Sequence, residues 1–311
     1  MWQSWHISSG IFLGWSLGSN DSANVFGTAV ATRMVRYKTA IFLCAIFIIL
    51  GAWMEGEAGF HRLSGLVEQS EIEVFFCALA AGITVTAMSI LGLPVSTSQA
   101  IVGCIIGVGL ASGKTVDMSG LGKVVLCWIG TPIGGFLAAI ILYKFFCWLI
   151  KRLNLNFFEV DWLIRWGLIF SGIYGSYALG ANNVANVTGV YVGAGVLSVE
   201  QAALIGGLSI AAGVLTFSKK VMLTVGKSLI PMNGVGALVA ILAHALVVHF
   251  YAQVGVPVST SQAIIGAVIG VGLINGRTIC ATTLVRILQA WLMTPVLAGF
   301  VTVILVRLFV T

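Results

Sequence analysis

Charge is what this chain lacks. Its 311 residues include 16 lysines and arginines and 10 aspartates and glutamates, so 8% are charged against 59% hydrophobic. A soluble domain carries roughly 25% charged residues, and without that polar shell a chain of this size does not stay in water. A soluble enzyme, a disordered chain and a nucleic-acid binder are excluded on this ground. Long apolar stretches fill most of the sequence, which reads as an integral membrane protein. The net charge of +6 forms no basic patch and reflects a topological bias instead.

Other chemistry is missing too. Cys44, Cys77, Cys104, Cys127, Cys147 and Cys280 all lie in apolar segments and none forms a CxxC. They read as small buried hydrophobes, not as disulfides or metal ligands. No His/Asp/Glu cluster with catalytic spacing occurs in the apolar segments, so no enzyme and no organic cofactor is expected. The opening Met1-Trp2-Gln3-Ser4-Trp5-His6 has no lysine or arginine and is not read as a cleaved signal peptide.

What the chain does contain is itself, twice. Gly18-Ser19-Asn20-Asp21-Ser22-Ala23-Asn24-Val25 returns 162 residues later as Gly180-Ala181-Asn182-Asn183-Val184-Ala185-Asn186-Val187. Gly92-Leu93-Pro94-Val95-Ser96-Thr97-Ser98-Gln99 returns 163 residues later as Gly255-Val256-Pro257-Val258-Ser259-Thr260-Ser261-Gln262. Two polar motifs recurring in order, at nearly one offset, mark an internal duplication. The halves are 1–152 and 153–311.

Each half reads alike. In the first, apolar segments are expected at about 5–32, 39–54, 74–91, 99–110 and 121–149; in the second, at about 162–190, 198–216, 236–253, 262–274 and 279–308. The first segment is expected to be interrupted at about 18–24 by glycine, asparagine and aspartate. The arm after each PVSTSQ motif has roughly a dozen apolar residues, too few at 1.5 Å per residue for a 30 Å core. A re-entrant helical hairpin with a polar tip is the better reading. Each half then crosses an odd number of times, so the halves run in opposite directions, as in inverted-repeat transporters. The fold class expected is an all-α polytopic membrane protein with two such hairpins.

The basic residues test that topology. With the N-terminus outside, 11 of the 16, from Arg33, Arg36 and Lys38 to Lys219, Lys220, Lys227 and Arg277, fall on the inner side. Arg62, Lys114, Lys123 and Arg307 fall outside, and Arg286 lies within a segment. The positive-inside rule thus favours both termini outside.

In a membrane the informative side chains are the polar ones that should not be there. Asp21 is the acidic residue inside an apolar segment, with Asn20, Asn24 and Thr28 around it. The twin motif supplies Asn182, Asn183, Asn186 and Thr188. Pro94 and Pro257 end one arm and open the next helix, and Ser96, Thr97, Ser98, Gln99 and Ser259, Thr260, Ser261, Gln262 occupy its first turn. Unpaired N–H groups and the positive helix end suit an anion there, and Asn20 and Asn182 are placed with it. Asp21, Asn24, Asn183, Asn186, Thr28 and Thr188 are candidate ligands for a hard cation such as Na⁺, and Asp21 could carry a proton instead.

The plainer readings are that serines after proline cap helices and that an Asn-Asp cluster packs helices. Duplication of both motifs weighs against them. Gly107-Val108-Gly109-Leu110-Ala111-Ser112-Gly113-Lys114-Thr115 imitates a phosphate-binding loop, but valine stands where glycine is needed. His244 and His249 pair with Ala81 and Thr86 of the other half, which favours packing or a water cavity over proton relay. Arg33 at a segment end is a snorkelling residue by default.

At these residues a family resemblance emerges. GSNDSANVFGTAVATR and GANNVANVTGVYVGAG resemble the paired GANDxANxxGTxVG signature of the inorganic phosphate transporter (PiT) family, and GLPVSTSQAIVG and GVPVSTSQAIIG resemble its PxSTTHAxxG tips. The resemblance implies symport of inorganic phosphate with Na⁺ or H⁺ across a plasma (inner) membrane, through an inverted-repeat fold with both termini outside. A homodimer is compatible with that architecture.

There are departures. Gln99 and Gln262 replace the tip histidine, Asn183 stands where many members have aspartate, and the signature's later glutamate falls at Ile49 and about Ala211. Sulfate permeases occur in the wider family, so sulfate is the alternative substrate, with an anion channel below it. Phosphate carries a proton at neutral pH and wants an acceptor, whereas sulfate wants donors only. An ionised Asp21 facing the anion favours phosphate.

Overall fold

The computed structural model of the chain describes residues 5–91, 95–228, 232–276 and 281–310, with the backbone alone at 224–228, 281 and 283. Gly92, Leu93, Pro94, Arg277 and Cys280 lie outside the described residues, as does the side chain of Lys227.

A chain in lipid must satisfy its backbone hydrogen bonds within each segment, so apolar runs become helices. Among the described residues there are eleven: α1 (Ile7–Ala31), α2 (Tyr37–Glu55), α3 (Glu57–Ser64), α4 (Glu71–Ile90), α5 (Thr97–Ser112), α6 (Met118–Arg152), α7 (Phe157–Gly193), α8 (Val199–Ser228), α9 (Gly234–Val254), α10 (Thr260–Ile274) and α11 (Ala281–Phe309). Six of them, α2, α4, α6, α8, α9 and α11, are long and apolar enough to cross a membrane. The short α3 escapes sequence reading because Glu57, His61 and Arg62 mask its buried face of Gly59, Phe60 and Leu63.

The expected interruption of the first segment does not occur. α1 runs unbroken through Gly18–Asn24, and α7 runs unbroken through Gly180–Asn186. Glycine and asparagine are weak helix formers, but tertiary packing overrides propensity. Gly18 sits where a Cβ would strike the Ile210 carbonyl, and its twin Gly180 sits against the Ile48 carbonyl. Glycine here allows close helix approach and causes no break. What is interrupted is the hydropathy, which explains why α1 and α7 are not among the six.

The second arms are longer than the apolar count suggested. α5 has 16 residues and α10 has 15, because the polar Thr-Ser-Gln turn is itself helical. At 1.5 Å per residue they reach only about 24 Å and 22 Å.

Helix contacts exchange between the halves. α1 packs on α8 as α7 packs on α2, α5 on α11 as α10 on α6, and α4 on α1 as α9 on α7. The closest approaches follow suit: Gly103 meets the Pro295 carbonyl and Gly266 meets the Pro132 carbonyl. Each proline lies inside a helix, α11 or α6. α6 and α11 form the periphery, with only 22% of their apolar windows buried. α1 and α7 form the centre: α1 is buried from Leu17 to Val30 and α7 from Ala178 to Tyr191.

Candidate functional site

Both asparagine motifs therefore occupy the central helices. Positions 21, 24 and 28 lie on one helical face of α1, and 183 and 186, the counterparts of 21 and 24, share one on α7. Asn20, Asp21, Ser22, Asn24, Asn182, Asn183 and Asn186 are all buried.

The tips complete the site. Ser96 and Ser259 are the N-caps of α5 and α10, each accepting a hydrogen bond from the backbone N–H of Gln99 or Gln262, at 3.3 and 3.2 Å. The capping reading is thus correct for these two hydroxyls. Each also meets the serine two residues on, Ser96 with Ser98 at 3.2 Å and Ser259 with Ser261 at 3.0 Å. Ser261 donates to the Val95 carbonyl at 3.0 Å, which joins the two tips.

Three contacts bring the second tip to the central helices. Asn24 donates to the Thr260 hydroxyl at 3.2 Å, and the same hydroxyl meets the Asp21 carboxylate. Asn182 donates to the Val258 carbonyl at 2.9 Å and accepts from the Val258 N–H at 3.1 Å. Asp21, Asn24, Asn182, Thr260 and Ser261 are thereby assembled.

Other expected residues stand apart. Asn20 donates to Ser89 of α4 at 2.7 Å, a partner the sequence reading missed. Asn186 donates to Asn183 at 2.8 Å, so these two satisfy each other in part. Thr188 donates to the carbonyls of Val184 and Ala202 and makes no hydrogen bond to either tip. Thr28 is buried with its hydroxyl unpartnered.

The remaining chemistry lies in what is unpaired. Buried polar groups are normally hydrogen-bonded, and each exception needs a reason. Here the exceptions include Asp21 Oδ1, Ser22 Oγ, Thr28 Oγ1, Thr97 Oγ1, Gln99 Oε1, Asn183 Nδ2, Asn186 Oδ1 and Gln262 Oε1. Five others lie outside the four repeated motifs, on Gln69, Trp128, His244 and Trp291, while these eight atoms lie in or beside them. Acceptors dominate this set, which suits a cation and an oxyanion that keeps a proton. Ser22, inside the first motif, and Ser89, three residues before the Gly92 motif, carry no signal in the sequence beyond their position. Among the described residues no group of three or more His, Cys, Asp or Glu could hold a metal ion, so any cation here would rest on neutral oxygens beside one carboxylate.

Residues 17–302, which contain all four motifs and both central helices, match the model of the phosphate transporter family. The chain belongs to the phosphate transporter family. It is similar to a sulfate permease of Bacillus subtilis, 28% identical over 307 residues that cover 96% of this chain and 86% of that protein. It is similar also to a candidate phosphate permease of Methanocaldococcus jannaschii, 26% identical over 289 residues covering 92% and 91%. A solved structure described as a sodium-dependent phosphate transporter shares the fold, with a TM-score of 0.83, 24% identity and 98% of both chains covered.

Two ionic clusters of this family member lie outside the four motifs. Glu73 is buried at the start of α4, ion-paired with Lys114 at 2.6 Å and hydrogen-bonded by Ser112 and Ser70. Its partners are distant or local in ways that spacing does not show. Glu55 at the end of α2 meets His249 of α9 at 2.7 Å.

Proposed function

We propose that this transporter imports inorganic phosphate by symport with Na⁺ or H⁺. One observation carries the reading: buried, unpartnered polar atoms gather on four duplicated motifs, two of them at helix N-termini. Such groups are costly in a membrane interior, and a cluster of them on repeated motifs points to a ligand.

In this reading the halves 1–152 and 153–311 are inverted repeats, and α4–α5 and α9–α10 are re-entrant hairpins. Their second arms fall short of a 30 Å core, which supports this. The anion sits at the tips, held by Thr97, Ser98, Thr260, Ser261, Gln99, Gln262 and the free N–H groups of the first turns, with Ser96 and Ser259 shaping those turns. Asn182 holds the second tip in place, and Asn20 stands beside the first through Ser89. The cation sits at Asp21, Asn24, Asn183 and Asn186, with Thr28 nearby. Its charge offsets that of the anion, so the loaded carrier crosses while the half-loaded carrier does not. Thr188 serves helix packing.

Sulfate import is the second reading, and the similarity to the Bacillus subtilis sulfate permease favours it. The unpartnered acceptors at the tips favour phosphate, since sulfate offers no donor to Gln99 Oε1 or Gln262 Oε1. The test is labelled-phosphate uptake into proteoliposomes, with a Na⁺ gradient or a proton gradient imposed separately, with and without excess sulfate. Accumulation that follows one gradient and resists sulfate is expected. Sulfate uptake with phosphate a poor competitor overturns the substrate, and absence of counterflow exchange points to a channel.

A further inference from the structure

Outside the four motifs lies a half-buried titratable cluster that joins three helices. His249 of α9 stands between two helices. Its Nε2 lies 2.7 Å from Glu55 Oε2 of α2, and its Nδ1 lies 2.7 Å from the Tyr174 hydroxyl of α7. Gln253, one turn along α9, donates to the same carboxylate, and the Tyr177 hydroxyl reaches it as well. Glu55 and His249 are 32% and 21% exposed, so the pair is half-buried and open to protons from water.

The halves differ here. By the repeat offsets Glu55, Tyr174, Tyr177, His249 and Gln253 correspond to Phe217, Phe12, Trp15, Thr86 and Ile90. That twin position holds an aromatic contact of Trp15 with Phe217 and a neutral hydrogen bond of Thr86 with Ser16. One side of the pseudo-symmetric core thus carries a titratable tie, and the other carries none.

We propose that the Glu55–His249 pair is a proton-binding site whose proton stabilises the conformation seen here and so biases alternation between conformations. The second clause rests on the transport reading; the first does not. With His249 neutral, Nε2–H donates to Glu55 and Nδ1 accepts from the Tyr174 O–H. A proton taken from water at Nδ1 makes both ring nitrogens donors, Nε2–H to the carboxylate and Nδ1–H to the tyrosine oxygen. Charge-assisted bonds are roughly twice as strong as neutral ones, so the proton tightens the joint of α2, α7 and α9. It returns to water as pH rises.

That joint leads to the candidate site along two helices. α9 ends at the second tip, and α7 carries Asn182, which grips Val258 of that tip. A conformation lacking the joint binds the proton less well, so acid shifts the population toward the one that has it.

Among the described residues Glu55 is the ionic group paired with His249, and Arg62 of α3 is half-buried. α2 contributes Glu55 and α7 contributes Tyr174 and Tyr177, while α10 has no titratable residue. Glu57 and His61 of α3 and Lys123 and Lys144 of α6 are exposed. Asp21 of α1 faces Thr260, and His244 and Tyr251 share α9 with His249.

The test uses the whole protein. Thermal unfolding in detergent is followed from about pH 8 to about pH 5.5, a window that spans imidazole titration. Relative to Glu55→Gln and His249→Gln, the wild type gains stability on acidification, and Thr86→Val at the twin position keeps the wild-type slope. Wild-type slope retained in both Glu55→Gln and His249→Gln overturns the proton site. If these two fail to fold, Tyr174→Phe decides: a reduced slope is expected, and an unchanged one overturns the proposal. In proteoliposomes wild-type uptake slows about fivefold with acid relative to the variants, a modest coupling. Anion titration is common to all of them and cancels. Equal pH profiles overturn the bias on alternation. A wild type that carries no oxyanion defeats the transport reading, while the unfolding curves still judge the proton site.

Discussion

Asn182 holds Val258 by both of its backbone groups, donating to the carbonyl at 2.9 Å and accepting from the N–H at 3.1 Å. An asparagine at the centre of one helix thereby fixes the tip of another. Asn182→Ala leaves both Val258 groups buried and unpaired, at roughly 1–3 kcal/mol each before relaxation. A lower unfolding temperature and weaker anion binding are expected together. Intact affinity in a stably folded Asn182→Ala protein would remove this residue from the site.

Thr97 separates ligand binding from stability. Its buried hydroxyl has no partner, whereas the neighbouring Ser96 hydroxyl caps α5. Thr97→Val keeps the shape and removes an unsatisfied group, so stability is expected to hold or rise by about 1 kcal/mol. Anion affinity is expected to fall about tenfold, the worth of one good hydrogen bond. Ser96→Ala should instead cost about 1 kcal/mol of stability through the lost cap. Paired melting and uptake measurements check the contrast.

Asp21 is the one carboxylate among the motif residues, and Oδ1 is unpartnered. Asp21→Asn preserves shape and removes the charge. Uptake is expected to lose its dependence on the coupling cation and to fall at least about tenfold, since a single counter-charge in a dry site is worth more than 1.4 kcal/mol. The check is uptake against cation concentration; an unchanged cation requirement places the coupling site elsewhere.

Gly103 and Gly266 allow α5 and α10 to reach the proline carbonyls of α11 and α6. Alanine at either forces helices apart, with an expected loss of about 1–3 kcal/mol. Gly122, where an added Cβ meets nothing within 4 Å, is the control and is expected to tolerate alanine. Unfolding temperature in detergent reads both.

The ion pair of Glu73 and Lys114 offers a further measure. Glu73 is nearly fully buried while Lys114 is 35% exposed. Lys114→Met strands a buried carboxylate, so it is expected to cost more than the double change Lys114→Met with Glu73→Gln. A double change that costs the sum of the Lys114→Met and Glu73→Gln single changes would mean that the two side chains do not couple.

The membrane class, the duplication and the four motifs were legible because composition and repetition are properties of the chain itself. Segment positions followed as well, since lipid permits one backbone solution for an apolar run. Helix continuity through Gly18–Asn24 was not legible, because propensity argued for a break and only the Ile210 carbonyl beside Gly18 explains its absence. The pairings of Glu73 and Glu55 were not legible for the same reason: their partners Lys114 and His249 lie 41 and 194 residues away.

The sequence by itself determined what this chain is made to hold: two asparagine motifs and two serine-rich helix starts, in duplicate, in a medium that penalises every idle polar atom. Tertiary structure alone decided how they are used. It made Ser96 and Ser259 caps, turned Asn182 to Val258 and Asn20 to Ser89, and left Thr97, Gln99 and Gln262 unpaired. Spacing along one helix sets which face a residue occupies. Which carbonyl or hydroxyl stands opposite that face is set by another helix, distant in sequence, and only the packed fold brings the two together.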